Sequence, residues 1–400
     1  MTIKKYIQNS IKFGLDAFFF PFLVLWLLVL RSKSYFTKKN KIFFGLMANN
    51  NLIYVRDSLK KYGYDVYVVP WIIPKHEKGV INYDIDIESH FPKLYKNFVG
   101  NLVLLYFFFF WATFKFDIFI IPFKNRLLDR TFLLSWFEFQ FLQLARKTLI
   151  LNPYGGDIQY PEVWQDSHDN TKKTLLKAWM HDPYYSKVDS SVTKKNIRYG
   201  EKYADMIISS LEWPDYLSRI DCHLHMRVKP SNENNITAPK NKKKTIEIIH
   251  ATNHPHFKGT NIIKKAIAEI NDPLPRCEFR VLQNTKNTEV LRQIACADVV
   301  IDQLLAGAYG RLAIEAMSLE KPVICYLRDD LKELYPAWQE CPIINANISN
   351  IKEKILEVMN MPAEQRADIG AKSKAYVEKY HSPEYVGERL HTIIQKVLKS

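Results

Sequence analysis

The chain has 400 residues, 47% hydrophobic and 24% charged, which is ample for more than one core and too apolar for a disordered chain. Its 56 Lys and Arg against 42 Asp and Glu give a formal net charge of +14, which favours anionic partners such as nucleotides, phospholipid headgroups or nucleic acid. The 5 cysteines are odd in number and never spaced C-x-x-C, which argues against a disulfide framework or a structural zinc site and for a reducing cytoplasm.

At the amino terminus, Ala17 to Leu30 is an uninterrupted apolar run, short of the roughly 18 to 20 residues that cross a bilayer; it lengthens only by including Asp16. The residues RSKSYF follow it, so no small-residue cleavage site marks a removed signal peptide. Lys4, Lys5 and Lys12 precede the run, and Arg31, Lys33, Lys38, Lys39 and Lys41 follow it. That balance keeps the body of the chain on the cytosolic side whether the segment spans or lies in the interface; a buried core helix is the other alternative. Residues 1–40 are read as a membrane-associating segment.

Beyond it, strand and helix alternate. Ile42 to Leu46 reads as a strand opening into an Asn-rich loop, Leu52 to Tyr62 as a helix, and YDVYVVP as the next strand. Asp84 and Asp86 in YDIDIE are expected on the solvated surface, not as a D-x-D metal site. Leu102 to Phe114 is an apolar run too short to span, and its aromatic part, Phe107 to Trp111, is apolar on every helical face, so it is either fully buried or partly dipped into lipid; the strand Ile118 to Ile121 follows. Thr148 to Asn152 and Met206 to Ser209 read as further buried strands. The DCHLH stretch, Asp221 to His225, has metal-capable side chains but no second ligand pair at a familiar spacing, and is expected to be ordinary packing.

Hydrophobicity collapses over Lys229 to Lys244, the best linker in the chain. The pattern then restarts with TIEIIHA (strand), Asn261 to Ile270 (helix), EFRVLQ (strand), Thr288 to Ala295 (helix), DVVIDQ (strand) and KPVICYL (strand). The expected class is α/β: Rossmann-like domains over residues 41–230 and 245–382, joined by a linker at 231–244 and facing a central cleft. Residues 383–400 form a last amphipathic helix, expected to return across that cleft.

The stretch GAYGRLAIEAMSLEKPVICYL, Gly307 to Leu327, places a Gly-rich turn directly before an amphipathic helix and a buried strand. The first N–H groups of a helix are unpaired and its dipole is positive there, so such a turn is an anion receptor. With HATNHPHFKGT (His250 to Thr260), YGGDIQ (Tyr154 to Gln159) and ADMIISS, it resembles the retaining glycosyltransferases of the GT-B fold, and especially the family 4 branch. HATNHPHFKGT resembles the loop bearing the family's diphosphate lysine, and YGGDIQ its first-domain HGxD turn.

A nucleotide-diphosphate sugar loses a charged diphosphate, so the departing phosphate is what needs stabilising. Lys258 offers a compact positive charge, and the N–H groups of Gly310, Arg311 and Leu312 offer oriented dipoles, without a metal. The resemblance implies that Glu315 accepts the ribose hydroxyls and that His250, Asn253, Gly259 and Gln283 complete the donor site; His254 and His256 stay open. It places Gly45, Asn49, Asn50, Tyr154, Gly155, Gly156 and Asp157 on the acceptor side, with Asp157 joining Lys258 and Glu315 in catalysis. No cofactor or metal is implied.

Three positions depart from the family pattern: Gly307 stands where a first glutamate is usual, Tyr154 where a histidine is, and the arginine that accompanies the lysine is absent unless Arg311 replaces it in part. The expected activity is transfer, with retention, from a nucleotide sugar to a lipid-linked or membrane-embedded acceptor at the cytoplasmic face of the inner membrane, in bacterial surface polysaccharide assembly. The alternatives are a nucleotide-sugar epimerase of the same fold and a non-catalytic nucleotide- or nucleic-acid-binding protein. No nucleic-acid motif is visible, and the basic residues are spread along the chain.

Overall fold

The computed structural model of the chain describes residues 3–36, 39–46, 50–73, 81–210, 213–225 and 245–399. Asn49 and the 231–244 linker lie outside the described residues.

Strands β1 (Lys41–Phe44), β2 (Asp65–Val68), β3 (Ile118–Ile121), β4 (Thr148–Leu151), β5 (Met206–Ser209) and β6 (Cys222–His223) form a parallel sheet in the order β2-β1-β3-β4-β5-β6. A second parallel sheet runs β11-β10-β9-β7-β8, from β7 (Ile246–Ala251), β8 (Cys277–Leu282), β9 (Val299–Ile301), β10 (Val323–Cys325) and β11 (Ile344–Asn345). Strands β3, β4, β5, β9 and β10 are buried at every residue, the pattern of parallel strands covered by helices on both faces. Each sheet reverses direction beside its first strand, between β1 and β3 and between β7 and β9. Ligands of open α/β sheets bind beyond the carboxyl ends of the strands at such switch points.

The chain divides into compact units: Met1–Gln159, Ser190–Leu224 and Gly387–Ser400 in the first, Tyr160–Asp189 and His225–Val386 in the second. Within the second unit, residues 160–189 are held by aromatic side chains: Tyr185 stacks on Phe257 at 4.8 Å, and Trp179 lies 6.3 Å from the same ring. The end of the Pro383–Lys399 helix packs in the first unit, where His391 stacks on Tyr62 at 4.4 Å and Gln395 donates to the Tyr64 hydroxyl at 3.0 Å.

Of the two aspartates expected on the solvated surface, Asp84 is drawn into an ion pair, and Asp86 is a partly exposed helix cap. Asp84 accepts from the Arg56 guanidinium at 3.0 Å and from the Val68 N–H at 2.7 Å, whereas Asp86 caps the Ile87–His90 helix. The Phe98–Lys115 helix divides by face: Leu105, Tyr106, Phe109 and Ala112 are buried, while Phe107 and Phe114 remain exposed.

Gly200, in the Ser190–Tyr203 helix, lets that helix approach the first sheet closely. A Cβ there would lie 2.6 Å from the Phe123 ring and 2.7 Å from Leu151 Cδ1. Gly200→Ala gains helix propensity but overpacks a full core; urea unfolding is expected to show a net loss of about 1–3 kcal/mol.

Candidate functional site

In the second unit, the β7 loop carries Lys258 and β9 ends directly before Asp302, so both sit at the sheet's switch point. Asp302 has no exposed surface. One of its oxygens accepts from the Lys258 ammonium at 2.9 Å, and the other from the Gly310 N–H at 2.6 Å. A buried carboxylate is tolerated only when its charge and lone pairs are met, and here a lysine and the N-cap amide of the Arg311–Ser318 helix meet them. The lysine and the helix start therefore converge on one carboxylate. The Gly310 amide is consequently engaged by Asp302, and the N–H groups of Arg311, Leu312 and Ala313 are those left outside the intrahelical ladder.

The loops are tied to each other by the Leu304 N–H, which donates to the Lys258 carbonyl at 3.2 Å. Gly259 caps Lys258 in the left-handed region at φ 79°, a conformation glycine adopts without strain, and a Cβ there would press on Leu304 at 3.3 Å. From behind, the buried Tyr309 hydroxyl bonds His381 Nε2 and the Tyr376 hydroxyl, both at 2.9 Å. The Gly-rich turn is thus fixed on both sides.

Glu315 is buried on the inner side of its helix and accepts from Arg311 Nε at 2.8 Å and Asn287 Nδ2 at 3.0 Å. Arg311, the expected substitute for a diphosphate arginine, has its guanidinium held by Glu315. Gly307 explains the missing glutamate: φ is 78°, and a Cβ would fall 2.3 Å from Arg328 Cγ, so the Arg328 stem fills the space a side chain would need.

His250, expected among the donor contacts, is a core residue. Its Nδ1 lies 2.8 Å from the Ile301 carbonyl and its Nε2 2.8 Å from the Thr260 hydroxyl. A carbonyl only accepts, so Nδ1 carries the proton, Nε2 accepts, and the ring is neutral. Burial pushes its pKa down to about 4, with the nearby Lys258 acting in the same direction. Asn253 accepts from the Asn284 N–H at 3.0 Å and so shapes the loop after β8, where Gln283 is exposed. His254 pairs with the buried Asp182 at 3.2 Å, while His256 stays exposed.

In the first unit, Asp157 is fully buried and its oxygens accept from the N–H groups of Phe123, Tyr154 and Gly155, each at 3.0 Å. This is a main-chain clamp between the β3 and β4 loops, at the residue for which the resemblance implied a catalytic or acceptor-facing carboxylate. Burial raises its pKa to about 6 against the pull of those donors. Gly155 adopts φ 116°, Gly156 is half-buried beside it, and the Tyr154 hydroxyl accepts from Asn125 at 2.8 Å. Gly45 lies buried at the end of β1, where a Cβ would meet Ile121 at 2.4 Å. Asn50 opens the Asn50–Lys60 helix.

Sequence reasoning missed Asp302, Asn287 and Thr260. Asp302 had a readable signal: it is the polar residue that follows VVI, where a buried parallel strand reaches its carboxyl end. Asn287 carried none, because its partner Glu315 is remote in sequence, and Thr260, although it closes the same loop as His250, has no spacing that marks the bond.

No family model and no curated protein matches the chain by sequence. Solved structures match it in shape. Anabaena HepE in complex with UDP and glucose aligns with a TM-score of 0.54 at 11% identity, over 90% of this chain and 100% of that one. Its complex with UDP-glucose gives 0.53 at 11%, over 89% and 99%. Sucrose-phosphate synthase from Thermosynechococcus elongatus gives 0.56 at 10%, over 90% and 100%. The chain has the GT-B fold. At these identities the likeness is one of architecture, and the two parallel sheets with their switch points are what it consists of.

Two outcomes follow for the GT-B chain. Asp302→Asn keeps an acceptor but loses the charge opposite Lys258. Equilibrium unfolding is expected to report a loss of roughly 2–3 kcal/mol, less than for a fully buried pair because Lys258 reaches solvent. His250 is the second. Its folded pKa lies below the unfolded value of about 6.5, so the unfolded chain takes up a proton the native ring refuses. Stability is fully present above about pH 6.5 and falls as pH drops toward 4, by roughly 3 kcal/mol in total. His250→Asn, measured by urea unfolding across that window, is expected to start less stable and to lack that part of the slope.

Proposed function

We propose that this chain is a glycosyltransferase that moves a sugar, with retention of configuration, from a nucleotide-diphosphate donor to a lipid-linked or membrane-embedded acceptor. The observation that carries the reading is the meeting of Lys258 and the Gly310 amide on Asp302, at the switch point of the second sheet. An ammonium and a helix start held at one locus by a shared carboxylate, with the amides after Gly310 outside the intrahelical ladder, form a receptor for a departing diphosphate. In this reading Lys258 and the amides of Arg311 and Leu312 bear the phosphate charge in place of a metal, and Glu315 exchanges Arg311 and Asn287 for the ribose hydroxyls. Asn253, Gly259 and Gln283 shape the surrounding loops, and His250 holds them from the core.

Retention is supported by what Asp157 does. Both of its oxygens are occupied by main-chain donors, so the β4 turn offers no ready carboxylate base. Same-face attack, in which the departing phosphate takes the acceptor's proton, needs none. On the acceptor side the reading assigns Tyr154, Gly155 and Gly156, with Gly45 and the Asn-rich loop after β1. The aromatic surface of the first unit supports a membrane-bound acceptor, and the basic flanks of its first helix support the cytoplasmic face of the inner membrane. Bacterial surface polysaccharide assembly is the setting that fits such an acceptor.

A thermal-shift panel of UDP, GDP and CMP sugars tests the donor class. Release of free nucleotide diphosphate only when acceptor lipid is present separates transfer from epimerisation, and the anomeric configuration of the product, read by NMR, tests retention. Lys258→Gln still donates to Asp302 but lacks the charge. Its kcat/KM is expected to fall about 100-fold or more with the fold intact by circular dichroism. Unchanged turnover in that variant removes the proposal.

A further inference from the structure

The Ile3–Ser34 helix is the longest element described, and it touches the rest of the first unit along one stripe: Asp16, Phe19, Leu23, Trp26, Leu30 and Lys33. The spacing alternates between three and four residues, as on one face of a helix. Asp16 is the anchor of that stripe. Although it lies inside an apolar helix it is only 2% exposed; one oxygen accepts from the Tyr106 hydroxyl and the other from the N–H groups of Phe132 at 3.0 Å, Leu133, and Leu134 at 3.3 Å. Phe19 stacks on Tyr106 at 4.2 Å, Trp26 Nε1 donates to Thr113 at 3.1 Å, and the Lys33 ammonium covers the Phe114 ring at 3.8 Å.

From Ala17 to Val29 the other faces of the helix are apolar too, and they are bare. Phe18 is 61% exposed, Leu25 62% and Leu28 63%, and Phe20, Phe22, Val24 and Val29 are exposed beside them. The surface continues through Phe107 and Phe114, and through Phe132, whose ring meets Phe13 at 6.2 Å. A groove of about 430 Å³ between this helix and the Phe98–Lys115 helix is lined by apolar residues alone, among them Phe22, Trp26, Phe107 and Phe110. Both helices are long and apolar enough to cross a membrane by length and composition.

Crossing would carry the first helix away from its partners. It would leave the N–H groups of residues 132–134 without their acceptor and bring the Asp16 carboxylate into hydrocarbon, and both are costly. Charge points the same way. Asp16 is the only acidic residue in the helix and is buried, whereas Lys4, Lys5 and Lys12 flank one end of the apolar run and Arg31 and Lys33 the other. The exposed surface of this helix therefore carries no acidic group: it is apolar between Ala17 and Val29 and cationic toward both ends, with Ser10 and Ser32 as neutral polar residues, the complement of an anionic leaflet.

We infer that Ile3–Ser34 is a monotopic anchor: Asp16 latches it lengthwise to the first unit, its outer faces lie in the headgroup–acyl boundary of an anionic phospholipid leaflet, and leaflet hydrocarbon fills the groove against Phe107 and Phe110. This rests on the membrane-facing part of the proposed function and not on its chemistry.

The test uses the full chain. Flotation with phosphatidylcholine vesicles, with or without phosphatidylglycerol, is expected to recover the protein chiefly with the anionic set. Phe18→Glu with Phe22→Glu is expected to cut that binding at least tenfold at an unchanged urea midpoint, and Lys4, Lys5 and Lys12→Gln to remove the preference for phosphatidylglycerol. In inside-out membrane vesicles from expressing cells, external protease is expected to remove an amino-terminal tag and digest the body from the same side. A tag protected while the body is cleaved shows a span and overturns the inference, as does recovery of the chain as a soluble dimer without vesicle binding. Binding is measured without nucleotide. Vesicle binding without transfer refutes only the chemistry, and transfer to a soluble acceptor without vesicle binding refutes only the anchor.

Discussion

The second unit is organised around one carboxylate. Asp302 stands without solvent at the end of β9, and it holds the Lys258 ammonium and the N-cap amide of the Arg311–Ser318 helix within 3 Å of its oxygens. Without that charge, the β7 loop and the Gly-rich turn would have no reason to present positive groups to the same place. Everything else nearby reinforces the geometry. The neutral His250 ring ties β9 to the start of the Thr260–Ile270 helix, Tyr309 holds the turn from behind, and the Arg328 stem packs where a side chain at 307 would otherwise sit.

The same device recurs in the first unit. Asp157 gathers the N–H groups of Phe123, Tyr154 and Gly155, and Asp16 those of residues 132–134. Glu138, raised to about 7 by burial, accepts from the N–H groups of Leu127 and Leu128. In each case a buried acidic side chain substitutes for secondary structure in a loop whose amides would otherwise be orphaned. This is why three acidic residues that look available for chemistry or solvation are committed to the main chain. It also shifts the search for function to groups with spare capacity: Lys258, the amides after Gly310, and Glu315.

Much of the architecture was legible in the sequence, because hydrophobic period and strand length are local properties. The strands Ile118–Ile121 and Met206–Ser209 and the helix Pro383–Lys399 lie where the pattern puts them. The strands Cys222–His223 and Ile344–Asn345 were not foreseen, since two residues at a sheet edge leave no periodic signal. The packing of residues 160–189 beside Phe257 is silent in sequence for a related reason: the contacts of Tyr185 and Trp179 with that ring span more than seventy positions, which local pattern does not encode.

The sequence by itself determined the class of fold, the apolar first helix with its cationic flanks, and the pairing of a Lys-Gly loop with a Gly-rich turn before a Glu-bearing helix. The first two follow from composition and spacing, which a chain carries whether or not it is folded, and the third from the resemblance of those motifs to a known family. Tertiary structure alone decided which polar residues face inward. It made His250 and Asp157 part of the framework, put Asp302 at the centre of the site, and turned Asp16 from a flaw in a hydrophobic run into the latch that fixes the helix lengthwise. The physical reason is that burial, and bonds such as those of Asp16 with residues 132–134 and of Lys258 with Asp302, join residues far apart in the chain, which no short window of sequence contains.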